Sequence, residues 1–269
     1  MDFKDFCKGV LKIFPVYNNI YKTGSLQSDG SIVQMTRESV EGSEVHHNWF
    51  HDSPKSGTRY DAPVSDPELA GKKGLIHHNV MWNLSKALMI KGDEQQIYNN
   101  TCFDNSTNDI SVMYEVYADP PGGSSNGLTI TKNNAADKIS GHRQNPQTVP
   151  GTVSHNIYST TSIDYGIKAL LNDPDNYDFT PKSTSTQLID AGTIIAGIND
   201  DFSGSAPDIG AYEIGDTWTA GATWRPDFYP WSFLSLGTIE NNQKIEIKLF
   251  PNPVDNQVLN ISIPNDLKD

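Results

Sequence analysis

Four short stretches of this chain rhyme: Val16-Tyr17-Asn18-Asn19, Val45-His46-His47-Asn48, Ile76-His77-His78-Asn79 and Ile97-Tyr98-Asn99-Asn100. Each runs β-branched residue, ring, polar residue, asparagine. The closing asparagines fall 29, 31 and 21 residues apart. That period is too long for a heptad and shorter than a propeller blade. It suits a solenoid whose coils each add one rung to parallel sheets. Residues distant in sequence then stack at the strand spacing of ~4.8 Å, so sites can be sought by aligning rungs.

The rungs align beyond the asparagines. Four residues past each stand Thr23, Asp52, Asn83 and Asp104, side chains that bond the backbone and turn a chain. Farther on, Thr58-Arg59-Tyr60-Asp61, Leu88-Met89-Ile90-Lys91 and Ile110-Ser111-Val112-Met113 superpose when the middle coil is one residue short. Alternation points Thr58, Leu88, Ile110, Tyr60, Ile90 and Val112 inward. Arg59 and Asp61, Met89 and Lys91, and Ser111 and Met113 then face outward. Helical periodicity is scarce, and 21 glycines and 16 prolines interrupt the chain often. The expected class is all-β.

This pattern resembles the right-handed parallel β-helix superfamily, which includes pectate lyases, polygalacturonases and the chondroitinase B and alginate lyase group. Gln187-Leu188-Ile189-Asp190-Ala191-Gly192, followed by Ala206-Pro207-Asp208-Ile209-Gly210-Ala211-Tyr212-Glu213, resembles the closing segment of secreted bacterial β-helix proteins. Leu249-Phe250-Pro251-Asn252-Pro253-Val254 is similar to the opening of the C-terminal sorting domain of type IX secretion in Bacteroidetes. The resemblances imply a secreted or cell-surface protein that meets the type IX machinery and acts on a polysaccharide.

The expected organisation is a β-helix over 1–214, truncated at both ends, with a polar excursion at 119–150 and a segment capping its open end. An aromatic-rich extension follows over 215–243, and the start of a sorting domain over 244–269. About four coils occupy 1–118, and the rhythm returns at Val153-Ser154-His155-Asn156. Met1-Asp2-Phe3-Lys4-Asp5-Phe6 carries no apolar signal region, so the chain reads as an internal piece of a longer protein. A net charge of −13 argues against nucleic acid or an anionic membrane as partner. No stretch approaches ~20 apolar residues, so none is expected to span a membrane. A monomer is expected. Cys7 and Cys102 read as unpaired thiols, and no cysteine spacing suggests zinc.

The densest polar cluster is His51, Asp52, Lys55, Arg59 and Asp61, joined from the next coil by Lys86 and Lys91. It reads either as an ion pair between Asp61 and Lys91 on an exposed sheet, or as a cationic patch in which Arg59 grips a sugar carboxylate or sulfate. For β-elimination, Lys55 or His51 would be the base and Arg59 the neutralising cation. The resemblance to the alginate lyase group implies Ca2+, but no matching acidic ligand set is present. For hydrolysis, Asp52 and Asp104 stand two rungs apart, about 9.6 Å, at the upper edge of the inverting range, with Asp61 as a third candidate. The alternative for both is turn-making. Trp49 and Trp82 read as sugar-stacking platforms or as packing.

His46 and His77 are expected on one column with Tyr17 and Tyr98, and His47 and His78 on another with Asn18 and Asn99. Stacked imidazoles either fill ladder positions or bind a transition metal; no metal ligand is assigned. Asn19, Asn48, Asn79 and Asn100 form an expected amide ladder. The expected function is polysaccharide cleavage, by elimination or hydrolysis, with a non-catalytic glycan-binding or adhesin-type β-helix as the alternative.

Overall fold

The asparagine rhyme marks a corner. The computed structural model describes residues 15–26, 28–62, 70–113, 127–142, 148–161 and 163–221, with Leu249–Phe250 and Asn260–Ile261. Asn18, Asn48, Asn79, Asn100, Asn134 and Asn156 stack on six successive rungs, each Nδ2 donating to the next Oδ1 at 2.9–3.0 Å. The backbone N–H of each donates to that same Oδ1. Every ladder residue is preceded by one in the left-handed region: Tyr17, His47, His78, Asn99, Asn133 and His155, with φ between 44° and 57°. That conformation favours asparagine and histidine among non-glycine residues, and it turns the chain between two strands.

Three parallel sheets meet at such corners. The first holds Glu44–His46, Leu75–His77, Gln96–Tyr98, Ile130–Lys132 and Thr152–Ser154. The second holds Asn19–Tyr21, Trp49–His51, Val80–Trp82, Thr101–Phe103, the start of Ala135–Ser140, and Ile157–Ser159. The third holds Ser31–Thr36, Ser56–Asp61, Leu88–Ile90, Ile110–Val112 and the end of Ala135–Ser140. Each coil visits the sheets in that order, and long strand-to-strand crossovers of this kind are right-handed. The fold is a right-handed parallel β-helix.

Register in the third sheet is as the sequence predicts: Thr58 pairs with Leu88 and Leu88 with Ile110, while Tyr60 pairs with Ile90 and Ile90 with Val112. All six are fully buried. They join Val45, Ile76 and Ile97 of the first sheet and Phe50, Met81 and Cys102 of the second in one core. Cys102 is buried and unpaired, as expected; Cys7 lies outside the described residues.

Two alignments need correction. Val16 bridges His46 and Asn19 pairs with Trp49, so the first coil sits one residue earlier than the rhyme suggests. The ladder residue there is Asn18, and Tyr17 shares the column of His47, its ring 4.9 Å away, while it meets His46 only edge-on at 6.3 Å. The next corner's column is therefore Lys22, Asp52, Asn83 and Asp104, all at φ 50–54°, and Thr23 is not in it. A fifth coil, Ile130 to Ser140, carries ladder residue Asn134, which the sequence reading passed over.

The closing segment is expected over the open end of the solenoid, and the structure lays it along the outer face of the second sheet instead. Thr193 N and Gly210 N donate to Asn133, Ala211 N to Thr101 Oγ1, Trp49 Nε1 to Tyr212 Oη, and Gly221 N to Tyr17 O. The strap thus descends from the fifth coil to the first. Ile167, Leu171, Phe179, Leu188, Ile209, Ala211 and Tyr212 cover Trp49, Val80, Phe103 and Ala135. Gly210 is at φ 120°, and a Cβ there would stand 2.8 Å from Thr101 Oγ1, so the close approach requires glycine.

The chain divides into two units, Met1–Trp224 and Arg225–Asp269. In the second, Leu249–Phe250 pairs antiparallel with Asn260–Ile261. Pro251 to Val254 of the sorting-like motif lie outside the described residues, as do 119–126 and 143–147. The expected polar excursion at 119–150 is corrected, since its middle forms the fifth coil, Ile130–Lys132 and Ala135–Ser140 pairing with the fourth.

Candidate functional site

Arg59, Asp61 and Lys91 come together on the outward side of the third sheet, as expected, but not on an exposed surface. The Asp61 carboxylate receives Arg59 on one oxygen and Lys91 on the other. Arg59 also grips Asp29, and Lys91 donates to Ala62 O at 3.1 Å. The Lys91 and Asp61 side chains are only 3% and 10% exposed. Lys55 Nζ donates to Ser28 O and Lys86 Nζ to Thr107 Oγ1. Both terminal nitrogens of Arg59 are thus spent on carboxylates of this chain, which corrects the reading of a cationic patch open to an anionic sugar.

The strap decides the fate of the second-sheet candidates. Trp49 is buried beneath Tyr212 and Phe179. His51 is buried between the rings of Tyr21 at 5.0 Å and Trp82 at 4.1 Å, with Nδ1 on Asp52 and Nε2 on Asn19 Oδ1. Neither reaches solvent, so His51 as base and Trp49 as sugar platform are both corrected.

What remains exposed is the corner beside them. At left-handed φ the side chains of Lys22, Asp52, Asn83 and Asp104 project outward as one column, a rung of ~4.8 Å between neighbours. Asp52 and Asp104 side chains are 40% and 52% exposed. Asn83 Nδ2 donates to Asp52 Oδ1, and Lys168 from the strap bridges Asp104 and Asp175. Hydrogen bonds from Asn83 and His51 hold the Asp52 carboxyl below its usual range against the opposing effect of burial. Two aromatic rings flank the column, Tyr21 from the first coil and Tyr177 from the strap, each 49% exposed. Tyr177 lies flat on Trp49 at 5.5 Å and 9°, and its ring is 6.1 Å from that of half-buried Trp82.

Sequence reasoning found Asp52, Asp104 and Trp82 but missed Tyr21, Lys22, Lys168 and Tyr177. The first two were hidden by the one-residue slip in the first coil, since Tyr21 shares the column of His51 and Trp82. Tyr177 and Lys168 belong to the strap, which has no rung to align.

Among solved structures, the chain is similar to pectate lyase Pel9A. The match has 18% identity and a TM-score of 0.42, and it covers 74% of this chain and 59% of that one. No family profile and no curated protein matches the sequence.

The opposite corner holds His46, His47, His77 and His78. His46 and His77 stack at 4.8 Å and 3°, and His47 and His78 at 5.0 Å and 14°. Burial pushes the imidazolium forms of all four down, His47 to about 3. Among the described residues, the set of at least three ligand-bearing side chains that converges is His46, His47 and His77. These are nitrogen donors, which do not suit the oxygen-seeking Ca2+ implied by resemblance. A recess of about 300 Å³ lies elsewhere, lined by Arg37, Glu38, Glu41, Ala70, Gly71, Lys72 and Lys73. Lys73 lies 3.8 Å from Glu41 and 4.0 Å from Glu94, so its charges are matched within the chain.

Proposed function

We propose that this protein binds a polysaccharide along the column Lys22, Asp52, Asn83 and Asp104, with Tyr21 and Tyr177 as stacking faces. The observation that carries the reading is the pair of half-exposed tyrosines beside an ordered file of donors and acceptors. Sugar rings pair an apolar face with an equatorial rim of hydroxyls, and amphipathic aromatics beside carboxylates and amides match both. The rung spacing of ~4.8 Å is close to the length of one sugar unit in an extended chain, so successive rungs can address successive sugars. Mixed charge along the column, and a net charge of −13, favour a neutral glycan over a polyanion. In this reading the protein works outside the cell or at its surface, where type IX secretion would deliver it.

Inverting hydrolysis at the same column is the second reading. Two rungs separate Asp52 from Asp104, about 9.6 Å, at the upper edge of the inverting range. Binding ranks first because an inverting pair needs one protonated carboxyl as general acid. Asp52 is held toward its ionised form, and Asp104 has Lys168 Nζ at 3.4 Å. Elimination ranks lower still, since Arg59 already neutralises Asp29 and Asp61.

Glycan-array screening followed by calorimetry on the best ligand tests the proposal. Tyr21→Ala and Tyr177→Ala are each expected to weaken binding about tenfold, or ~1.4 kcal/mol, with melting temperature little changed because both rings are half in water. Wild-type affinity in both variants would overturn it, as would silence across neutral glycans. Reducing ends released by the wild type and lost in both Asp52→Asn and Asp104→Asn would promote the hydrolytic reading.

A further inference from the structure

The His-His-Asn string occurs on two consecutive coils, and the corner itself does not demand it. At the same left-handed position the chain uses Tyr17, Asn99, Asn133 and His155 on other coils, at φ 54°, 44°, 57° and 52°. Tyrosine, asparagine and histidine each serve the turn, so what sets the second and third coils apart is a second imidazole directly before the first. On the strand beside them, His46 and His77 complete a block of four rings.

The nitrogens of that block face one another. His46 Nδ1 is 2.8 Å from His47 Nδ1, and His77 Nδ1 is 2.7 Å from His78 Nδ1. Within each rung the two rings are nearly perpendicular, at 85° and 87°. Glu44 Oε1 lies 2.9 Å from His77 Nε2, which donates to it. That bond places the proton of a neutral His77 on Nε2 and leaves Nδ1 as a lone pair. A carboxylate holding the far nitrogen of an imidazole is the usual support of a metal-binding histidine. The block is not sealed, since the side chains of His46 and Glu44 remain 21% and 32% exposed.

We propose that His46, His47 and His77 bind one late first-row divalent cation through Nδ1, with Cu2+ preferred over Zn2+. The preference follows from the donor set. Three imidazole nitrogens with no thiolate or carboxylate among them suit late first-row ions, and affinity at such a site rises to Cu2+ and falls again at Zn2+. His46 and His47 are hydrogen-bonded through Nδ1 in the metal-free state; on binding, the proton between them moves to the Nε2 of its own ring and both lone pairs turn to the ion. His77, with ligand atoms of all three residues within 4.8 Å of one another, closes by side-chain rotation as the third donor. His78 holds the Nδ1 lone pair of His77 in the metal-free state. Trp218 stands over the site, its ring 4.8 Å from that of His47, and supplies a reporter.

The test is titration of tag-free protein with CuCl2, NiCl2 and ZnCl2 by calorimetry, with Trp fluorescence and electron paramagnetic resonance of the Cu2+ form. The expected result is one Cu2+ per chain, tighter than Zn2+, with quenched tryptophan emission and nitrogen hyperfine structure. His47→Asn keeps a residue type that this column already accepts, and should weaken Cu2+ binding about 100-fold with melting unchanged in the absence of metal. His155→Asn, in the same column on the sixth coil, should change nothing. Equal loss in His155→Asn would assign binding to scattered surface histidines and overturn the proposal. So would wild-type affinity in His47→Asn, or a spectrum of oxygen ligation alone. His77→Gln offers a second route should His47→Asn fold poorly, and it carries the same expected loss.

Discussion

Asn79→Ala is expected to lower the unfolding free energy by about 4 kcal/mol, although the substitution removes no apolar contact. Asn79 sits in the middle of the ladder and is fully buried. Its Oδ1 accepts from the Asn48 backbone N–H at 3.1 Å and from Asn48 Nδ2 at 2.9 Å. Its own Nδ2 donates to Val45 O, His77 O and Asn100 Oδ1. Alanine leaves the buried Asn48 N–H without an acceptor, a loss of about 1–3 kcal/mol, and removes a donor from each of two carbonyls and one amide oxygen at roughly 0.5–1.5 kcal/mol apiece. The left-handed residue beside it, His78, also loses the corner that holds it. For a unit of this size the loss corresponds to roughly 8–16 °C in melting temperature. Asn79→Asp keeps the acceptor but cannot donate, and should be comparably damaging near neutral pH. Asn156→Ala, on the last rung and only part-buried, should cost distinctly less. A flat profile along the ladder, read by thermal melts of Asn79→Ala, Asn100→Ala and Asn156→Ala, would mean that the column does not carry the corner.

How far such a ladder can be read from sequence depends on which constraints are local. The inward columns of the third sheet are legible because alternation is enforced wherever one face is dry, and Thr58, Leu88 and Ile110 align to the residue. The first coil slipped because Asn18 and Asn19 both satisfy the rhyme. Only pairing with Trp49 distinguishes them, and that is a contact across 30 positions of chain. The fifth coil was missed because its ring position is taken by Lys132, although Asn133-Asn134 repeats Asn99-Asn100 without change. The outer surface was not legible at all. Alternation says that Trp49, His51, Arg59 and Lys91 point away from the core, but not what lies on top of them. Over the second sheet the cover is the strap of 163–221, held by single contacts such as Trp49 to Tyr212, 163 residues apart. Tyr177 and Lys168 reach the proposed glycan column by the same route. An outward residue is therefore exposed only where no later chain returns, and periodicity carries no record of that return.

Outward does not mean exposed at Asp61 and Lys91 of the third sheet either. On an exposed sheet such a pair contributes ~0–1 kcal/mol, and either substitution would pass nearly unnoticed. With side chains 10% and 3% exposed, removing one partner strands the other charge in a medium that solvates it poorly. Lys91→Met is therefore expected to cost about 3–5 kcal/mol. Asp61→Asn should cost at least as much, since it strands both Lys91 and the Arg59 nitrogen that Asp61 neutralises, and Arg59 Nε is already buried without a partner. The double variant Asp61→Asn/Lys91→Met removes both charges, leaving Arg59 with Asp29. It should be more stable than the sum of the single losses implies, by ~1–3 kcal/mol, as expected for residues in direct contact. Urea unfolding of the wild type, both single variants and the double variant closes the cycle. Single losses below ~1 kcal/mol, falling further in high salt, would return the pair to solvent. Additive large losses would mean that the two residues act through packing and not through charge. A coupling of the expected size makes Asp61 the shared counter-ion of Arg59 and Lys91, with both cations committed to a carboxylate of their own chain.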